Sequence, residues 1–244
     1  MRGNVTGHIS PKELKRDKFV ETVEHGAEYA ASHARNLWIA AAFAALIMAS
    51  VFGWRFWSDQ QSQKASVAMD DALKVFEARI RTPAEPQDPS EVSYLIEKTK
   101  YTDARKKFDD VAQKYSLTTQ GTLARYYSAL CSERLGEKDK ASAGMRDLST
   151  SSNPDVAALA RLSLADLAEQ AGKNDEAAQL LQGLMDHPST LVPRARSELA
   201  LANLYRRTKP AEAAKLYEQI KKEFPDSPLA DEADKRLAEL SPAS

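Results

Sequence analysis

Hydrophobic positions along the chain fall into two regimes. From Asn36 to Trp54 the sequence NLWIAAAFAALIMASVFGW runs 19 residues without a charge. As a helix it spans roughly 28 Å at about 1.5 Å per residue, close to a bilayer core of about 30 Å. Only Ser50 interrupts it centrally, whereas a core helix of a globular domain would keep one polar face. All three tryptophans sit at the ends of the run, Trp38 at one and Trp54 and Trp57 at the other, where amphipathic rings favour the membrane interface. The expectation is a transmembrane helix over 36–57, anchored by Trp38, Trp54, Arg55 and Trp57. It is too long and starts too late for a cleavable signal peptide.

Beyond Trp57 the pattern changes to short amphipathic segments punctuated by proline, the rhythm of short helices. Within it Ala104, Ala141, Ala177 and Ala213 align at steps of 37, 36 and 36 residues. Each is followed four residues later by Phe108, Met145, Leu181 or Tyr217, and three further on by Val111, Leu148, Leu184 or Ile220. A small residue with large ones at i+4 and i+7 lets one helix pack closely on the helix before it. Such self-similarity at a fixed step is the mark of a repeat array. Before the span, Ser10-Pro11-Lys12-Glu13 starts a helix from Pro11 to about His33 with a narrow apolar stripe of Phe19, Val23 and Ala27.

Composition mainly excludes. A net charge of -1 offers no basic excess for nucleic acid, and one cysteine, Cys131, rules out an internal disulfide. No phosphate-binding loop, H-E-x-x-H or G-x-S-x-G occurs. His25 and His33 are eight apart, not the i, i+4 pair of a helical metal site, and His187 stands alone in the loop Met185 to Pro188. Asn4-Val5-Thr6 is a weak glycosylation pattern, and Asp109-Asp110 and Lys221-Lys222 read as solvated faces. Neither an enzyme nor a cofactor protein is expected.

The repeats resemble the tetratricopeptide family, whose unit of about 34 residues is two antiparallel helices. The third unit carries the resemblance best, with Leu164-Ala165, Gly172 at the inter-helix turn, Ala177, Leu181 and Leu184. The fourth keeps Leu201-Ala202, Tyr205, Ala213, Tyr217 and Pro225 but has Thr208-Lys209-Pro210 in place of the turn glycine. The second has Gly136, Ala141 and Pro154. The first is the most degenerate, its opening helix at about Ser66 to Arg81 separated from Tyr101 to Tyr115 by a proline-rich insertion, and Ser227 to Leu240 reads as an end-cap helix. The fold expected is all-α, a transmembrane helix followed by a right-handed tetratricopeptide-like solenoid of helical hairpins.

In that family the first helix of each hairpin lines a concave binding surface. Its positions map here onto Tyr126, Leu130 and Glu133; Leu162, Asp166 and Glu169; Leu199, Asn203 and Arg206. The leucines also suit the hairpin core, which leaves Tyr126, Glu133, Asp166, Glu169, Asn203 and Arg206 as the groove candidates.

The junction Gly53-Trp54-Arg55-Phe56-Trp57 further resembles the single-span tetratricopeptide proteins that include the ancillary SecYEG translocon subunit of bacteria. That resemblance implies a cytoplasmic tail over 1–35, a span over 36–57 and a periplasmic repeat domain over 58–244. It also implies protein partners, namely translocon subunits, exported chains or periplasmic chaperones, with lipid contact through the one span. Basic residues near the span are balanced at three per side, and Arg2, Lys12 and Lys15 tilt the short tail toward the cytoplasm. Two alternatives remain. Pro225-Asp226-Ser227-Pro228-Leu229-Ala230 resembles junctions of envelope-assembly and cell-division scaffolds, and a reversed topology would make the chain a cytoplasm-facing accessory subunit.

Overall fold

A computed structural model describes residues 34–240 except Gln87 and Pro89. The expected helix from Pro11 to His33, with His25 and His33, and Asn4-Val5-Thr6 lie outside the described residues. Nine α-helices and a two-stranded ribbon occur among the described residues: α1 Ala34–Glu77, β1 Arg79–Ile80, β2 Ser93–Tyr94, α2 Glu97–Lys114, α3 Thr119–Arg134, α4 Lys138–Leu148, α5 Pro154–Gln170, α6 Asn174–Asp186, α7 Arg194–Tyr205, α8 Pro210–Glu223 and α9 Pro228–Leu240. The chain divides into two compact units, residues 1–59 and 60–244.

In the first unit α1 exposes its large apolar side chains on every side: Phe43, Leu46, Ile47, Met48, Val51 and Phe52 are all more than half exposed. The helix is long and apolar enough to cross a membrane. Trp54 and Trp57, where the apolar run of α1 gives way to polar residues, lie with ring centroids 5.4 Å apart.

The second unit is an antiparallel stack of hairpins. All twelve residues of the alanine-led register are buried, from Ala104, Phe108 and Val111 on α2 to Ala213, Tyr217 and Ile220 on α8. Each alanine lets its helix approach the preceding one, and the two larger residues fill the seam. Two turns repeat the same solution. Gly136 and Gly172 take φ of +80° and +74°, and their N–H groups donate to Glu133 and Glu169 carbonyls while the next residues, Glu137 and Lys173, donate to Ser132 and Ala168. That closes the helix end with a left-handed glycine, a geometry costly for other residues. The fourth hairpin, without glycine, turns instead on Lys209 N–H donating to the Tyr205 carbonyl at 2.7 Å before Pro210 opens α8. Helix starts are capped by Thr118, whose hydroxyl accepts from Gly121 N–H, and by Asn153, whose side-chain Oδ1 accepts from the N–H groups of Asp155 and Val156. Gly121 is required for space, since a Cβ there would sit 2.0 Å from the Tyr115 carbonyl oxygen.

Several boundaries correct the sequence reading. No separate opening helix runs from Ser66 to Arg81: α1 continues past Trp57 without a break, because no proline or glycine follows Gly53 before Pro83, and ends at Glu77. Its final turns are amphipathic, with Ala65, Met69, Ala72 and Val75 buried. Phe76 packs edge-on against Tyr101, Phe108 and Tyr127, while Phe108 and Tyr127 stack at 5.1 Å. The proline-rich insertion brings β1 and β2 together in parallel, pairing Arg79 with Ser93 and Ile80 with Tyr94. Arg79 fastens it to Glu91 at 3.1 Å and Glu85 at 3.2 Å, and the buried Lys100 ammonium donates to the Ala78 carbonyl just beyond the end of α1. The expected solvated face at Asp109 also accepts a hydrogen bond from Ser128, and Lys221 pairs with Asp234. Met185 and Asp186 belong to α6, leaving an exposed His187 as its cap.

Candidate functional site: the face lined by α3, α5, α7 and α9

The first helices of successive hairpins touch one another along one side of the stack, and the side chains that bridge them define the candidate site. Tyr126 on α3 lies 3.1 Å, hydroxyl to hydroxyl, from Ser163 on α5. Seven residues further along both helices, the Gln170 amide donates to Glu133 at 3.3 Å. Both bonds join residues 37 apart, one more than the 36-residue step between these two units. On α7, the Asn203 side-chain oxygen accepts from the Tyr217 hydroxyl of α8 at 2.6 Å. Arg206 reaches α9, donating to Glu239 at 3.0 Å, an ion pair that Arg236 joins at 3.2 Å.

Tyr126, Glu133, Asp166 and Glu169 therefore gather in the middle of the face, whereas Asn203 and Arg206 belong to its C-terminal end. Leu162 is buried, and Leu130 and Leu199 pack against the core, so the leucines of the mapped positions serve the hairpins. Missed in the sequence were Ser163, Gln170 and Arg196. Ser163 and Gln170 each lie one residue past the register partners of Tyr126 and Glu133, Leu162 and Glu169, so the repeat step alone passed over them.

The electrostatics centre on Asp166. It is exposed as a side chain but flanked closely enough to lose much of its hydration, and Glu133 and Glu169 add like charge. Together these push its carboxyl up to about 6, with Arg196 opposing them. Burial likewise raises the Tyr126 hydroxyl, so it remains a neutral hydrogen-bonding group at physiological pH. The result is a half-buried aromatic beside three carboxylates and one guanidinium, an arrangement suited to gripping a polypeptide segment. No group of three acidic, histidine or cysteine side chains among the described residues is set to hold a metal. Cys131 is buried, and burial pushes its thiol up to about 12, far from nucleophilic thiolate.

These features define a solenoid of helical hairpins with polar side chains bridging its first helices. A profile of the tetratricopeptide repeat-like domain matches residues 33–190, and one of the tetratricopeptide repeat matches residues 162–228. The chain belongs to the tetratricopeptide repeat-like family. No curated protein matches it. Two crystal structures of kinesin light chain-type TPR-like repeats from Podosopora anserina are 17% identical, with a TM-score of 0.46; the matches cover 58% of this chain and 77% and 78% of theirs. Repeats of this family point to a protein-binding scaffold, typically non-catalytic.

Proposed function

We propose that the chain is a membrane-anchored scaffold that holds protein segments on the face lined by α3, α5 and α7. The observation that carries this reading is the contrast within α1, where every large apolar side chain from Trp38 to Trp57 is exposed while Ala65, Met69 and Ala72 are sealed in the repeat core. An apolar surface of that length needs lipid or a partner to cover it. The resemblance at Gly53 to Trp57 favours an N-terminus in the cytoplasm, repeats in the periplasm, and work beside the translocon on exported chains or with chaperones. The carboxylates of Glu133, Asp166 and Glu169 favour segments bearing lysine or arginine near an apolar side chain, which Tyr126 would meet.

The test is protease access to the repeats in intact spheroplasts, followed by crosslinking from the groove. Digestion without detergent, with crosslinks to translocon subunits, is the expected result. Digestion with crosslinks only to envelope-assembly proteins would favour a scaffold without translocon contact. Protection until detergent is added would make the chain a cytoplasm-facing accessory subunit.

A further inference from the structure

The fourth hairpin contains an anomaly that the repeat register isolates. The residues just before the groove positions Tyr126, Leu162 and Leu199 are Arg125, Arg161 and Glu198. Arg125 pairs with Asp147 near the end of α4, and Arg161 donates to the carbonyl of Ser149, the residue that closes α4, at 3.1 Å. A cation is favoured there, because the end of a helix presents unpaired carbonyls and partial negative charge. Glu198 puts an acid at the equivalent register position, and there the side chain is buried. Its side chain is fully covered, though by a thin layer of protein, and neither carboxylate oxygen has a hydrogen-bond partner among the described residues. The adjacent Ser197 hydroxyl is also buried without a partner.

Helix α7 packs against α6, α8 and α9. The charged groups bearing on Glu198 are Glu223, the last residue of α8, and Arg194, one turn earlier on α7 itself; none comes from α6 or α9 among the described residues. An ionised Glu198 would therefore face a second carboxylate at a helix C-terminus with no donor to hold it, a costly arrangement. A protonated carboxyl loses that penalty.

We propose that Glu198 is a proton-linked latch: with its carboxyl protonated, α7, α8 and α9 pack fully, and on ionisation that end of the solenoid loosens, releasing the Arg206–Glu239 contact that closes the end of the binding face. Burial, seconded by Glu223, raises the group above its usual 4.5. The stabilisation is thus complete below the ordinary carboxyl range and is lost as pH rises through the raised value. Low pH fastens the latch and rising pH releases it.

Hydrogen exchange on the full-length protein in detergent micelles tests this. After correction for the intrinsic pH dependence of exchange, amides of α8 and α9 should exchange roughly tenfold faster at about pH 8 than at about pH 5, relative to those of α2, which lies away from the Asp166 cluster. E198Q, which mimics the protonated acid, should abolish that difference. An α8–α9 profile in the wild-type protein that follows α2 at every pH overturns the latch without need of a variant. A pH response that persists in a folded E198Q protein overturns it too, by assigning the titration to another group. Neither outcome bears on whether the groove binds proteins.

Discussion

Helix α1 carries two stretches whose apolar side chains meet opposite fates. Between Phe43 and Phe52 side chains such as Leu46, Met48 and Phe52 are 65% to 76% exposed, while Ala65, Met69, Ala72 and Val75 are at most 6% exposed. The difference lies in arrangement. The upper stretch is apolar all round, so no single neighbour could cover it, and a solvent of lipid is the economical partner. The lower stretch confines its apolar residues to one stripe that a helical hairpin can cover. Hydrophobic content alone therefore does not say what lies inside the protein; the angular distribution of that content does.

The sharpest way to break this comparison is to remove matched volumes from the two stretches and the repeats. Phe108→Ala, which empties part of the stacked cluster with Tyr127, should destabilise the repeat domain by about 3–5 kcal/mol, read as a drop in the thermal midpoint by circular dichroism. Phe43→Ala should leave that midpoint unchanged. An equal fall for both would mean that the upper stretch packs on protein. Next in size, Ala45→Arg places a charge in the middle of the proposed span at a cost of about 2.5–3.5 kcal/mol. It should move a measurable fraction of the protein into the supernatant of an alkaline membrane extraction, whereas Ala72→Arg should leave extraction as in wild type and damage the fold instead.

Much of this contrast was legible in the sequence, and the reasons are physical. The four alanines and their partners at i+4 and i+7 foretold twelve buried positions because close helix packing constrains residue size at those sites. Gly136 and Gly172 foretold their turns because a left-handed backbone selects glycine. The ribbon of Arg79–Ile80 and Ser93–Tyr94 was not legible, since two residues per strand are too few to show alternation. The end of α1 at Glu77 was equally hidden, as the Lys100 contact that follows it reaches across 22 residues. In the groove, residue types were readable but pairings were not: Arg206 looked like a free binding group and is engaged with Glu239. Glu198 was invisible because amphipathic patterning assigns a charged residue to the surface.

Smaller effects sharpen the account of the face itself. Arg206→Glu should cost at most about 1 kcal/mol of stability, the pair with Glu239 being part exposed, but it should visibly increase exchange of α9 amides. Asp166 offers the mildest probe. Its carboxyl, raised to about 6, is increasingly ionised as pH climbs through that value. Binding of a lysine- and arginine-bearing peptide should therefore strengthen between about pH 5 and 7, and Asp166→Asn should flatten that dependence, both followed by fluorescence anisotropy. The same substitution should stabilise the fold slightly at pH 8 and not at pH 4, because only the ionised acid meets repulsion from Glu133 and Glu169.

The most direct measurement is site-specific photocrosslinking in intact cells, with the crosslinking residue placed at Glu169 or Asn203 on the first helices and, for comparison, at Glu176 or Glu218 on the second helices. The account predicts discrete adducts with the same protein partner from both first-helix positions and none from the second-helix positions. Adducts from Glu176 and Glu218 with no adducts from Glu169 and Asn203 would contradict it, moving the working surface to the opposite side of the solenoid.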